Sequence, residues 1–217
     1  MNKLNIFSSV KSQAINDLSP DLLDTALDQI TDSEILKDIP IFGLGFKSYS
    51  LYQKITEGFF VKKLLKFLYQ VKDISMDERQ RFIEELEAKE ESKKAGERLL
   101  NTLNRLDDDE KAEIIGRLFK QAILSKIEIE DFNRLSHIID NSYISDIRLL
   151  KDNPHLSYIE NDVKSNLNQV GLLSVSVSDI AEHQAFLDRV GSGSKAVPKL
   201  EYKPNKYCQL LIKFGFE

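Results

Sequence analysis

Apolar residues recur at helical spacing from Phe60 to Leu150, and this periodicity restricts the chain to a bundle of short amphipathic helices. Phe60, Leu64, Phe67, Leu68 and Val71 form one stripe; Phe82, Ile83 and Leu86 form the next. Leu99, Leu103 and Leu106 follow, then Ile115, Leu118, Phe119, Ala122 and Ile123, then Phe132, Leu135, Ile138, Ile139, Ile147 and Leu150. Start signals stand where these stripes need them. Ser75 and Glu78 have capping-box spacing, in which each side chain satisfies a free backbone N–H. Asp107, Asp108, Asp109 and Glu110 place negative charge at another helix start. Upstream, Ser19 before Pro20 reads as an N-cap followed by proline at the first helical position, with Leu23, Ala26, Leu27 and Ile30 as the stripe. Pro40 is expected to end that element, Gly43 and Gly45 to form a turn, and helices to occupy roughly 45 to 56 and 58 to 72, with a break at Thr56, Glu57 and Gly58.

The pattern changes after Asn153 and Pro154. A helix near 158 to 170 is predicted to end at Gly171, and Leu172, Ser174, Val175, Ser176 and Val177 then read as a strand. A short helix near 179 to 190 and the stretch Gly191, Ser192, Gly193, Ser194 precede a returning strand around Leu200 and Tyr202, and Asn205 caps a last helix. Helix, strand, loop, strand, helix is the order of a winged-helix module. The expected architecture is therefore mainly α: a multi-helix bundle over 1–153, followed by a small α+β winged-helix-like module over 154–217.

Charge is distributed unevenly. Residues 39–72 carry six lysines and one acid, so this stretch is +5 within a chain of net −5, and it holds eight of the nineteen Phe and Tyr residues. Residues 73–115, immediately downstream, carry −6. The simplest arrangement sets the lysine-rich helix against the acidic helices that follow it. An aromatic, basic hairpin also suits an anionic membrane surface, to which each lysine would add about 1 kcal/mol. It equally suits a protein partner or a second copy. Phe59, Phe60, Lys62, Lys63, Lys66 and Phe67 are the candidate interaction residues.

Other chemistries find little support. The best apolar run, Ile39 to Phe46, is cut after eight residues by Lys47, too short to span a bilayer. The first twenty residues lack a continuous apolar h-region, and the single cysteine, Cys208, cannot form an internal disulfide, so a cytoplasmic protein, at most peripheral to the inner membrane, is expected. His137, His155 and His183 fall in separate elements without ligand spacing, and the Asp107–Glu110 run lacks the alternation and glycine of a calcium loop. No nucleophile elbow is present, and Ser48 stands where a phosphate loop would need its third glycine. These features point to no cofactor, no metal and no catalytic activity. DNA ranks behind a protein partner. The helix that would enter the groove begins with Glu160 and Asp162, leaving Lys164, with Lys199 and Lys203 on the wing, as the nucleic-acid candidates.

The segments IPIFGLGFK from Ile39, FVKKLLKFL from Phe60, DERQRFIEEL from Asp77, LNRLDDDEKAEIIGRLFKQA from Leu103 and Phe132 to Ile139 resemble bacterial and phage-borne helical proteins with a trailing winged-helix region. The resemblance implies a bacterial, non-enzymatic protein linked to conflict between bacterium and phage. The expected function is binding, as an oligomer or with a partner, through the 39–72 hairpin. DNA-binding regulation through the C-terminal module is the alternative.

Overall fold

The computed structural model describes residues 6–24, 34–45, 58–88, 94–178, 180–191, 194–195 and 197–216. These are mainly helical, with one small two-stranded antiparallel sheet. Four short helices come first: α1 (Ile6–Val10), α2 (Pro20–Asp24), α3 (Glu34–Asp38) and α4 (Pro40–Gly45), with a 3-10 turn at Gln13–Asp17. The body comprises α5 (Gly58–Val71), α6 (Met76–Ala88), α7 (Ala95–Arg105), α8 (Asp109–Ile123), α9 (Ile129–Asn141) and α10 (Ile144–Asp152). Then come α11 (Asn161–Gln169), β1 (Leu173–Val177), α12 (Ile180–Arg189), β2 (Leu200–Pro204) and α13 (Lys206–Phe214).

The body is organised around α8, whose face of Ile114, Ile115, Leu118, Phe119 and Ala122 is buried. Phe119 is the hub: its ring centroid lies 5.1 Å from Phe132, 5.4 Å from Phe67, 5.6 Å from Phe82 and 6.3 Å from Phe7. Four helices thus meet one side chain. The most extensive helix–helix packing among the described residues is that of α5 with α8, and glycine permits the approach. A Cβ on Gly116 would lie 2.8 Å from the Phe67 carbonyl oxygen and 2.8 Å from Gln70 Cγ.

One buried cluster continues across residue 153, from Ile6 through Leu150 to Leu167, Leu172, Cys208 and Leu211. The last helix, α13, returns to the bundle. Its N-cap Asn205 accepts from the N–H groups of Tyr207 (2.9 Å) and Cys208 (3.1 Å), satisfying two free donors. Arg117 donates to the Gly215 carbonyl at its far end.

Several caps match their sequence signals, and two details differ. Asp108 accepts from the Glu110 N–H at 2.8 Å. Ser75 Oγ accepts from the Glu78 N–H, while the Ser75 hydroxyl donates a hydrogen bond to the Glu78 carboxylate at 2.6 Å, which therefore does not reach a backbone donor. The expected turn at Gly43 and Gly45 is α4; a helix does end before Pro40, α3 stopping at Asp38, and the proline itself begins the next. Proline has no N–H to lose at a helix start. The Ile41 N–H, free at that position, donates to the buried Ser9 Oγ at 2.9 Å. Gly43 serves close approach, since a Cβ there would lie 2.4 Å from the Lys37 carbonyl oxygen. The helix expected over 45 to 56 lies outside the described residues.

Gly116→Ala is expected to destabilise the protein by up to about 2 kcal/mol net, because the backbone oxygen it meets cannot rotate away and an overpacking cost of about 1–3 kcal/mol outweighs the roughly 1 kcal/mol that alanine gains in helix propensity. Denaturant unfolding of the purified variant reads this directly. A second expectation concerns Cys208, whose thiol is pushed up to about 11 by burial. The unfolded chain ionises this group at its ordinary 9.0 while the folded chain does not, so stability falls as pH rises between those values. Cys208→Ala should flatten that part of the stability profile relative to the parent chain.

Candidate interaction surfaces

The lysines of the 39–72 segment are turned to intramolecular use in α5. Lys63 is buried and donates to the carbonyls of Asn104 (2.9 Å) and Leu106 (2.7 Å), where α7 ends with unpaired acceptors. Burial pushes the Lys63 ammonium below its ordinary range, against the pull of Asp107, Asp109 and Asp140. Lys62 lies 2.9 Å from Asp109, and Lys66 lies 3.2 Å from Asp109 and 2.6 Å from Glu113. Two lysines of the +5 segment are thus neutralised by carboxylates of its −6 neighbour at the start of α8.

Their titration follows. Burial alone would raise the Asp109 carboxyl, but hydrogen bonds from Lys62 and Lys66 outweigh it and hold the group below the ordinary carboxylate range. Burial would likewise lower Lys66, and its bonds to Glu113 and Asp109 more than offset that, so its pKa is raised. Lys111, buried in the first turn of α8, is held 2.6 Å from the exposed Asp107. Arg79 is fully buried on α6, with one bond from Nη2 to Asn16 Oδ1 at 2.8 Å, and burial lowers its pKa.

The aromatic candidates divide. Phe67 is fully buried in the Phe119 cluster, and Phe60 is half-buried against the core. The Phe59 side chain lies outside the described residues. Phe67 and Lys63 therefore present no surface in the folded chain, and Lys62 and Lys66 face carboxylates of α8.

The C-terminal candidates are placed differently. Lys199 and Lys203 are exposed, at and beside β2, and Lys164 is half-buried on α11. The ribbon that carries the first two is sharply amphipathic. In its register Leu173 lies opposite Pro204, Val175 opposite Tyr202 and Val177 opposite Leu200, so one face is apolar apart from the Tyr202 hydroxyl. Ser174 opposite Lys203 and Ser176 opposite Glu201 make the other face. The bundle covers the inner end, where Leu173 is buried, but not the outer end, where Val175 is 45% exposed, Val177 62% and Leu200 60%.

The connection between the strands adds Ile180, Phe186, Val190 and Val197, all exposed. Of the eleven large apolar side chains exposed among the described residues, seven thus fall between Val175 and Leu200. The described residues between 173 and 204, the C-terminal arm, meet the body at the inner end of the ribbon. There the Asn168 amide donates to the Leu173 carbonyl and the Asn205 amide to the Gly171 carbonyl, each at 2.8 Å. Gly171 takes φ +94°, which favours glycine.

Sequence reasoning found the strands but did not single out their apolar face as a surface. The available signal was the shared parity of Leu173, Val175 and Val177 with Leu200 and Tyr202. What covers that face is not encoded locally.

A polar groove of about 540 Å³ runs between α7 and α9, lined by Arg98, Asn101, Thr102, Arg105, Asn133 and His137 among others. Arg105 is held 2.6 Å from Asp140. Among the described residues no group of three or more His, Cys, Asp or Glu side chains could hold a metal ion, and no helix is long and apolar enough to cross a membrane. Compared with protein-family models, curated proteins and solved structures, the chain matches none.

Because the Asp109 carboxyl is depressed in the folded state, it contributes stability above its ordinary 3.8 that is lost as pH falls through the lower folded value. Asp109→Asn is expected to lower stability near neutral pH and to reduce the loss below pH 3.8, measured by urea unfolding across an acid pH series.

Proposed function

We propose that this chain is a non-enzymatic binding protein, in which the helical bundle is a scaffold and the C-terminal arm is the surface that meets a protein partner. The concentration of exposed apolar side chains on residues 173–204 carries the reading. Single exposed apolar residues need no explanation, but seven within one short stretch of chain, from Val175 to Leu200, call for one. Burying one such side chain gains roughly 1.5–3 kcal/mol, so the arm holds substantial unused association energy. The 39–72 segment supports a contact role less well, since the described lysines of α5 are occupied by carbonyls and carboxylates of the same chain.

A second reading, DNA binding with the β1–β2 ribbon as the wing of a winged helix, is favoured by the exposure of Lys199 and Lys203. Glu160 and Asp162 at the start of α11 weigh against it, as does the balance of seven acidic and seven basic residues over 154–217.

The paired substitution Val177→Lys with Leu200→Glu, which sets opposite charges at directly opposed positions of the ribbon, is expected to leave stability within about 0.5 kcal/mol, because exposed positions contribute little to folding. A photo-crosslinking residue in place of Phe186 should give covalent protein adducts in living cells. Loss of the folded state in the first experiment, together with no adduct in the second, would show that the arm serves folding and not binding. Salt-dependent retardation of duplex DNA, abolished by Lys199→Glu and Lys203→Glu, would favour the second reading.

A further inference from the structure

We propose that a small polar pocket between the α9–α10 junction and α11 binds a guanidinium group, the end group of an arginine side chain or of a small guanidino compound. Its residues lie outside the 173–204 arm, so this site stands or falls independently of the role of the arm.

The Asp146 carboxylate is the decisive group. The pocket has a volume of about 120 Å³ and is lined by Asn141, Ser142, Tyr143 and Asp146 from the junction and by Asn166 and Gln169 from α11. Asp146 is only 8% exposed, yet among the described residues it makes no ion pair. Arg148, the basic residue nearest to it in sequence, is committed to Glu110. The Ser145 hydroxyl donates to Asp146 Oδ1 at 3.3 Å, which leaves most of the carboxylate's accepting capacity unused. A carboxylate in the first turn of α10 suits the helix dipole, and that accounts for its position. It does not account for the burial, because a charge withdrawn from water calls for a pairing partner.

The neighbouring groups set the character of that partner. The Asn141 amide nitrogen donates to the His137 carbonyl at 2.8 Å and lies 3.3 Å from His137 Nδ1. The Ser142 hydroxyl donates to the Ile138 carbonyl at 2.7 Å. With these donors spent, what both residues retain for a ligand is oxygen. The carboxamides of Asn166 and Gln169 each add another acceptor. An anion would meet a carboxylate and a set of acceptors. A guanidinium meets every one of them with an N–H, since it is a planar cation with five donors and no acceptor.

The remaining lining fits the same group. Tyr143, 67% exposed, supplies an aromatic ring beside the carboxylate, and guanidinium stacks on such rings. Leu167 and Val170 supply apolar surface for a methylene stem. The volume is well below the roughly 300–1,000 Å³ of sites that enclose a whole drug-sized ligand, so an end group is what fits.

Nuclear magnetic resonance titration of the full nitrogen-15-labelled chain with N-acetyl-arginine-N-methylamide tests the proposal. The expected result is saturable shifts of the side-chain amides of Asn141, Asn166 and Gln169, with affinity at least about tenfold above that of the lysine analogue. Asp146→Asn keeps the shape and removes the charge, and should weaken binding at least about tenfold. Tyr143→Ala, at an exposed position, should weaken it about threefold and serves as the independent variant if Asp146→Asn fails to fold. Methylguanidinium separates the two sources. Equal affinity for it assigns a small guanidino compound, whereas tighter binding of the arginine derivative assigns a side chain presented by a protein.

Absence of saturable shifts in the parent chain overturns the proposal. So does an equal response to the lysine analogue, or to calcium chloride at matched ionic strength. A folded Asp146→Asn chain with undiminished affinity overturns it too, and if that variant does not fold, undiminished affinity in Tyr143→Ala does the same.

Discussion

The approach of α5 to α8 is the contact on which the remainder of the structure depends. It combines a steric permission with an electrostatic one. Gly116 lets the backbone of α8 come against the Phe67 carbonyl. Lys62 and Lys66 of α5 then reach Asp109 and Glu113 in the first turns of α8, where carboxylates also suit the helix dipole. With that distance set, Phe119 can project into a space shared by Phe7, Phe67, Phe82 and Phe132. An extra methyl at position 116 would separate the helices and loosen each of those aromatic contacts.

The same contact changes the meaning of the basic, aromatic segment. Lysines beside phenylalanines suggest a surface awaiting an anionic partner. In the fold, carboxylates that follow in sequence meet Lys62 and Lys66, and the carbonyls of Asn104 and Leu106 take up Lys63. The surface left without a counterpart is at the other end of the chain. Its β-ribbon and inserted helix expose apolar side chains from Val175 to Leu200.

Much of the fold was legible locally. Stripes at helical spacing locate α5 to α10 within a few residues, and Asp108 and Asn205 cap the helices that their side chains predict. The signals failed where a residue's role is set by a distant neighbour. Gly43 reads as a turn residue, yet it lies in α4 at a position where the Lys37 carbonyl occupies the space of a side chain. Gly116 carries no local mark of its contact with Phe67. Val175 and Leu200 read as ordinary strand residues, and parity alone does not show which of them the bundle will reach.

The sequence by itself determined the helical class, the helix starts, the strand pair and the adjacency of opposite charge, because each follows from side-chain spacing or from bonds reaching only a few residues. Tertiary structure alone decided which lysines are consumed inside the molecule, which phenylalanines become core and which apolar face is left in water. Those outcomes depend on how far one helix can approach another and where the bundle ends. Both are properties of packing between segments distant in the chain.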